Sequence, residues 1–157
     1  MRLLGQVSYK GTNYQGWQKQ KNALTIQEEI EKVLSKILNS KIEINGSGRT
    51  DAGVHAQRQY FHFDVKKNDI DLDRLRYSAN CLLPKDIFIN SIKAVSDDFH
   101  ARFSAKGKTY TQITIKDYNL WSYGMVCSFR NIFPRYRFIY GCFFCGVNRW
   151  INICRYQ

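Results

Sequence analysis

No stretch of this chain approaches the roughly 18 consecutive apolar residues of a membrane-crossing helix. The apolar part of Met1–Gln6 is too short for a secretion signal. We therefore expect a cytoplasmic protein without a membrane partner, whose five cysteines are reduced thiols. Acids are scarce: 13 Asp and Glu stand against 24 Lys and Arg, a formal charge of +11 on 157 residues. Such an excess points to an anionic partner, most simply nucleic acid, with a merely basic surface as the plain alternative. The three histidines and the lone early Cys81 lack metal-ligand spacing. No internal repeat is visible, and the length suffices for a core without disulfides.

The first part of the chain is patterned. Leu3 to Tyr9 alternates as a strand. Gly11 to Gln18 follows as a turn-rich loop carrying exposed aromatics. Thr25 and Glu28 form a T-x-x-E capping box, and Ile26, Ile30, Val33, Leu34, Ile37 and Leu38 fall on one helical face. Asn39-Ser40 marks the stop. Ile42 and Ile44 open a second strand, and Phe61, Phe63 and Val65 alternate in a third. A second helix is expected over Asp71 to Leu82, with Leu72, Leu75, Ala79 and Leu82 buried and Pro84 closing it. Ile87 to Val95 reads as a fourth strand. The order βαββαβ predicts an α+β, ferredoxin-like antiparallel sheet with both helices on one face and the other face free for a ligand. Arg102 to Ile115 reads as a further strand.

The densest chemistry lies in Gly46-Ser47-Gly48-Arg49-Thr50-Asp51-Ala52-Gly53-Val54-His55-Ala56. Loops on a rigid scaffold are where function concentrates. Asp51 is the only carboxylate there, with Arg49 two residues before it. An ionised aspartate in such a loop serves as nucleophile or base, whereas a plain Asx-turn residue is the alternative. Arg49 suits either support of that carboxylate or a phosphate contact. His55 is a further candidate acid or base, or, where the chemistry rests on Asp51, a structural or RNA-contacting residue. Lys19, Arg58, Arg102 and Lys108 suit an RNA track, beside Tyr14, Trp17 and Phe103 as stacking surface. Cys142-Phe143-Phe144-Cys145 has no second pair or nearby histidine to complete a zinc site.

Several blocks carry a resemblance. Gly48-Arg49-Thr50-Asp51-Ala52-Gly53-Val54-His55-Ala56 resembles the active-site signature of the TruA-type tRNA pseudouridine synthases. So, in the same order, do Tyr9 to Gln18, Thr25 to Glu28, Ala79-Asn80 with Leu83 to Ile87, Phe99 to Ala105, and Lys108-Thr109-Tyr110. The resemblance implies conversion of uridine to pseudouridine around the tRNA anticodon stem-loop, with no cofactor and no metal. It places the essential carboxylate at Asp51 and the base-stacking tyrosine at Tyr110; spacing alone would make Tyr110 a buried strand residue. It also implies a homodimer. A non-catalytic RNA-binding module on the same ferredoxin-like sheet is the alternative, with tRNA binding but no pseudouridine.

The resemblance ends near Thr111. Residues 112–157 hold one acid, Asp117, six bases and 12 of the 23 aromatics. The family's second, pseudo-symmetric half is not found there. We expect residues 1–111 to form the synthase-like domain and residues 112–157 a divergent tail, from a reading-frame shift or gene decay. A chain so truncated would lack half of the catalytic cleft and could be inactive, and the dimer would be in doubt.

Overall fold

The computed structural model describes residues 1–66, 69–115, 124–128 and 148–155, with Lys108 and residues from Tyr110 onward described by backbone. Strand β1 (Arg2–Tyr9) is followed by a 3-10 turn (Gly11–Asn13), helix α1 (Ile26–Leu38), strands β2 (Asn45–Gly46) and β3 (His55–Asp64), helix α2 (Leu72–Leu82) and strand β4 (Ile87–Val95). Strands β5 (Gly107–Ile115), β6 (Gly124–Ser128) and β7 (Asn148–Arg155) complete it. The expected βαββαβ order is present: β1 lies between β4 and β3, antiparallel to both, and β2 pairs antiparallel with β3.

Alternation along β1 buries Leu3, Gly5, Val7 and Tyr9 on one face. Across the sheet Leu3 pairs with Phe63, Gly5 with Phe61 and Val7 with Ile89, so one apolar face runs over three strands. Gly5 is required there, because a Cβ would overlap the Phe61 ring.

Helix α1 begins where Thr25 accepts a hydrogen bond from the Glu28 N–H at 3.4 Å and ends at Asn39, whose φ of 48° is left-handed. Ile26, Ile30 and Leu34 are fully buried, each worth about 1.5–3 kcal/mol relative to exposure. Helix α2 starts at Asp71, which accepts from the Arg74 N–H at 2.9 Å. It docks on β4 through Asn80, whose amide donates to the Ile89 carbonyl at 2.9 Å and accepts from the Ile89 N–H at 2.8 Å.

Four expectations are corrected. The strand expected over Arg102 to Ile115 begins only at Gly107, after a turn over residues 101–104. The second strand does not begin at Ile42: Ile42 and Ile44 are buried, but only Asn45–Gly46 enters the ladder. Leu82 is 48% exposed, and Leu83 is buried in its place. The helix ends at Leu82, and Leu83, extended before Pro84, turns inward. Tyr14 and Trp17 are not exposed; they are 4% and 2% accessible and belong to the core.

The outer edge of β3 is shared. Its C-terminal half pairs with β2 at Phe61 and His62, and its N-terminal half pairs in parallel with β7 at His55, Ala56 and Arg58. On its other side β7 pairs with β5, and β5 with β6. Strand β5 runs unbroken through residue 111. The Cys142–Cys145 motif, Lys116, Asp117, Arg130, Arg135 and Arg137 lie outside the described residues.

Candidate active site

The glycine-rich loop joins β2 to β3 and rests on the segment that follows β1. The Trp17 N–H donates to the Thr50 carbonyl at 3.0 Å and the Gly53 N–H to the Tyr14 carbonyl at 3.2 Å. The Gly11 N–H donates to His55 Nδ1 at 3.3 Å. Side chains seal the contact: Tyr9 Oη and Thr50 Oγ1 are 2.8 Å apart in the interior. Such close backbone approach explains two glycines. A Cβ at Gly11 would overlap the Val54 carbonyl, and one at Gly16 would overlap that of Thr50. Gly16 also has φ +91°, a conformation that other residues adopt at a cost.

The loop's entry is held as firmly. The Ser47 N–H donates to the Tyr60 carbonyl at 2.7 Å, and Gln59 Nε2 donates to the Gly48 carbonyl at 2.6 Å. From α1, buried Glu31 accepts from the Ile44 N–H at 3.1 Å and from Gln27 Nε2 at 3.0 Å. Gln27 Nε2 also donates to the Ile44 carbonyl at 3.0 Å. The start of α1 is itself bound to the loop's floor, the Gln27 N–H donating to the Trp17 carbonyl at 3.0 Å.

On this base Thr50 is 7% accessible, while Asp51 beside it is exposed. The Val54 N–H donates to the Asp51 carbonyl at 3.2 Å, closing a turn in which Gly53 takes φ +77°. The aspartate thus stands at the tip of a turn whose root is buried. A carboxylate so placed can meet a reacting group on a large substrate and needs no deep pocket.

Arg49 is exposed, and no ion pair between Arg49 and Asp51 occurs among the described residues. His55 is the first residue of β3, half-buried, and its Nδ1 is engaged by Gly11. Lys19 Nζ lies 3.4 Å from Glu31 Oε2. Arg58 is exposed on β3, and Arg102 is exposed with its guanidinium carbon 5.9 Å from the Phe103 ring centroid. Phe103 is 77% accessible, so it alone of the three expected stacking aromatics faces solvent.

Tyr110 and Lys108 are located by register. Asn152 of β7 pairs with Ala56 on one side and Tyr110 on the other, and Ile151 likewise bridges His55 and Thr111. Tyr110 is therefore level with the start of β3, two strand spacings or roughly 10 Å away. Lys108 pairs with Cys154.

Sequence reasoning missed the residues that hold the loop: Tyr9, Thr50, Gln27 and Glu31. Glu31 had a signal, a carboxylate set beside the apolar stripe of α1. Tyr9 and Thr50 had none, because a long-range hydroxyl pair has no spacing rule.

Together these features define an α+β domain with a multiply tied loop, buried at Ser47 and Thr50, whose exposed tip carries the loop's one carboxylate. The sequence profile of the family described as tRNA pseudouridine synthase matches residues 6–104. The tRNA pseudouridine synthase A of Ruminiclostridium cellulolyticum is 51% identical over 104 residues, 66% of this chain and 42% of that protein. The tRNA pseudouridine synthase A of Staphylococcus carnosus is 44% identical over 110 residues, covering 70% of this chain and 41% of that protein. A Staphylococcus aureus protein of the same name gives the same figures, 44% over 110 residues. The chain belongs to the tRNA pseudouridine synthase family. Its matched region spans about two fifths of the length of these curated relatives.

Proposed function

We propose that this chain, although its match spans only about two fifths of its relatives' length, isomerises uridine to pseudouridine in tRNA, around the anticodon stem-loop, in the cytoplasm, with Asp51 as the catalytic carboxylate. The observation that carries this reading is the exposure of Asp51 directly beside the buried, doubly anchored Thr50. In the isomerisation the bond from uracil N1 to ribose C1′ breaks and a bond from C5 to C1′ forms. The C5 proton leaves to solvent and N1 gains one, so the reaction is balanced and redox-neutral. An ionised oxygen is needed either to attack the ribose or to take a proton from it. The target base must leave the stack to be reached. Tyr110, level with the start of β3, is proposed as the stacking platform. Arg49, His55, Lys19, Arg58, Arg102 and Lys108 are proposed as RNA contacts.

We further propose a boundary near residue 111, with residues 112–157 a divergent segment. The end of the family match at residue 104 supports it. Reading the gene in its other two frames beyond that codon tests the frame-shift origin, which predicts a family-like continuation in one of them.

The test of function is incubation of the full chain with unmodified tRNA, followed by nucleoside chromatography. Pseudouridine is expected. Binding of tRNA without pseudouridine would instead identify a non-catalytic RNA-binding module.

A further inference from the structure

We infer that Tyr9 is a positioning residue for Asp51, acting through Thr50; this rests on the proposed role of Asp51. The argument begins with burial. Tyr9 and Thr50 are 4% and 7% accessible, and their hydroxyl oxygens are 2.8 Å apart although 41 residues separate them in sequence. A hydroxyl pair removed from water gains by remaining paired, since breaking a buried hydrogen bond carries a desolvation cost. Thr50 is held a second time, through its carbonyl, by the Trp17 N–H at 3.0 Å. Side chain and carbonyl together fix the peptide plane that leads into Asp51. That residue's carbonyl is in turn fixed by Val54.

The Tyr9 ring is also held in place. It packs against Trp17 with ring centroids 5.9 Å apart, and Trp17 fills the space over Gly46, where a Cβ would lie 2.5 Å from Nε1. The phenol is therefore a rigid post rising from the end of β1. Reaction rates depend steeply on the placement of catalytic groups. Tyr9 acts on Asp51 through Thr50, and so sets where the carboxylate stands.

The test compares Tyr9→Phe, Thr50→Val, Thr50→Ser and the double variant Tyr9→Phe/Thr50→Val in the full chain. In steady-state tritium release from uracil-labelled tRNA, Tyr9→Phe and Thr50→Val are expected to lower kcat about tenfold with KM unchanged, as for loss of one positioning contact. Thr50→Ser, which keeps the hydroxyl, should restore the rate. The double variant should lose less than the sum of the two single losses, because both disturb the Tyr9–Thr50 contact. Amide hydrogen exchange at Trp17 and Val54 should quicken in Tyr9→Phe and return to normal in Thr50→Ser. Unchanged kcat in Tyr9→Phe, additive losses in the double variant, or unaltered exchange would each overturn the inference. A wild-type chain without tritium release would defeat the catalytic reading itself, and the exchange comparison would still decide whether Tyr9 fixes the loop.

Discussion

Gly16 lies directly under the Thr50 carbonyl, with φ +91° and no room for a Cβ between them. Two separate constraints thus require glycine at one position: backbone handedness and close packing against the root of the loop that carries Asp51. We predict that Gly16→Ala destabilises the chain by about 1–3 kcal/mol, the usual cost of a strained backbone position. Urea unfolding should show a lower midpoint. Gly53→Ala also meets a positive φ, but nothing lies within 4 Å of its Cβ position, so its loss should be the smaller of the two.

Helix α2 is joined to β4 by the paired hydrogen bonds of Asn80 with Ile89. Asn80→Asp replaces the donating amide by a second acceptor facing the Ile89 carbonyl. We expect a loss of about 1–3 kcal/mol, the cost of leaving a partly buried group unsatisfied. Denaturant titration against Asn80→Ser, which retains a donor, would measure it.

His62 is 2% accessible and accepts from the Ala101 N–H at 3.1 Å. Burial pushes its pKa below the ordinary 6.5, helped by His100 and Arg2 and opposed by Asp64. The folded chain therefore binds fewer protons at this site than the unfolded one. Stability should fall as pH drops below about 6.5, where unfolded histidine protonates, and the fall should cease once folded His62 also protonates. His62→Asn keeps an acceptor near Nδ1 and cannot titrate. Its plot of stability against pH should be flatter over that range by up to about one proton. Equal slopes in the two proteins would refute the assignment.

Arg58 is exposed on the strand that carries His55. As a phosphate contact, its replacement in Arg58→Gln should weaken binding to different tRNAs alike. The slope of log affinity against log salt should decrease by about one. Filter binding over a salt series reads both quantities.

Much of the fold was legible because periodicity and capping act locally. The stripe from Ile26 to Leu38 and the Thr25 cap gave α1, and Ile87–Val95 was placed at its observed bounds. The failures share a cause, since burial of a short segment depends on distant partners. Tyr14 and Trp17 sit among turn residues, which suggested exposure, yet the 46–54 loop folds over them. Leu82 fits the helical stripe, but the helix ends there and Leu83 takes the buried place. Asp51 was legible as chemistry, whereas the floor beneath it, built by Tyr9, Gly16 and Trp17, became visible only through long-range hydrogen bonds.

The central claim is that the carboxylate of Asp51 carries out the isomerisation. Formation of the C5–C1′ bond expels the hydrogen on C5, so tritium placed there is released to water once per turnover. The most direct test is tritium release from uracil-labelled tRNA by the full chain and by Asp51→Asn, which keeps the shape and removes the charge. The account predicts release by the wild-type chain and a loss of at least about 100-fold in Asp51→Asn, the lower bound for losing a general acid–base group. Equal release by the two proteins would contradict it.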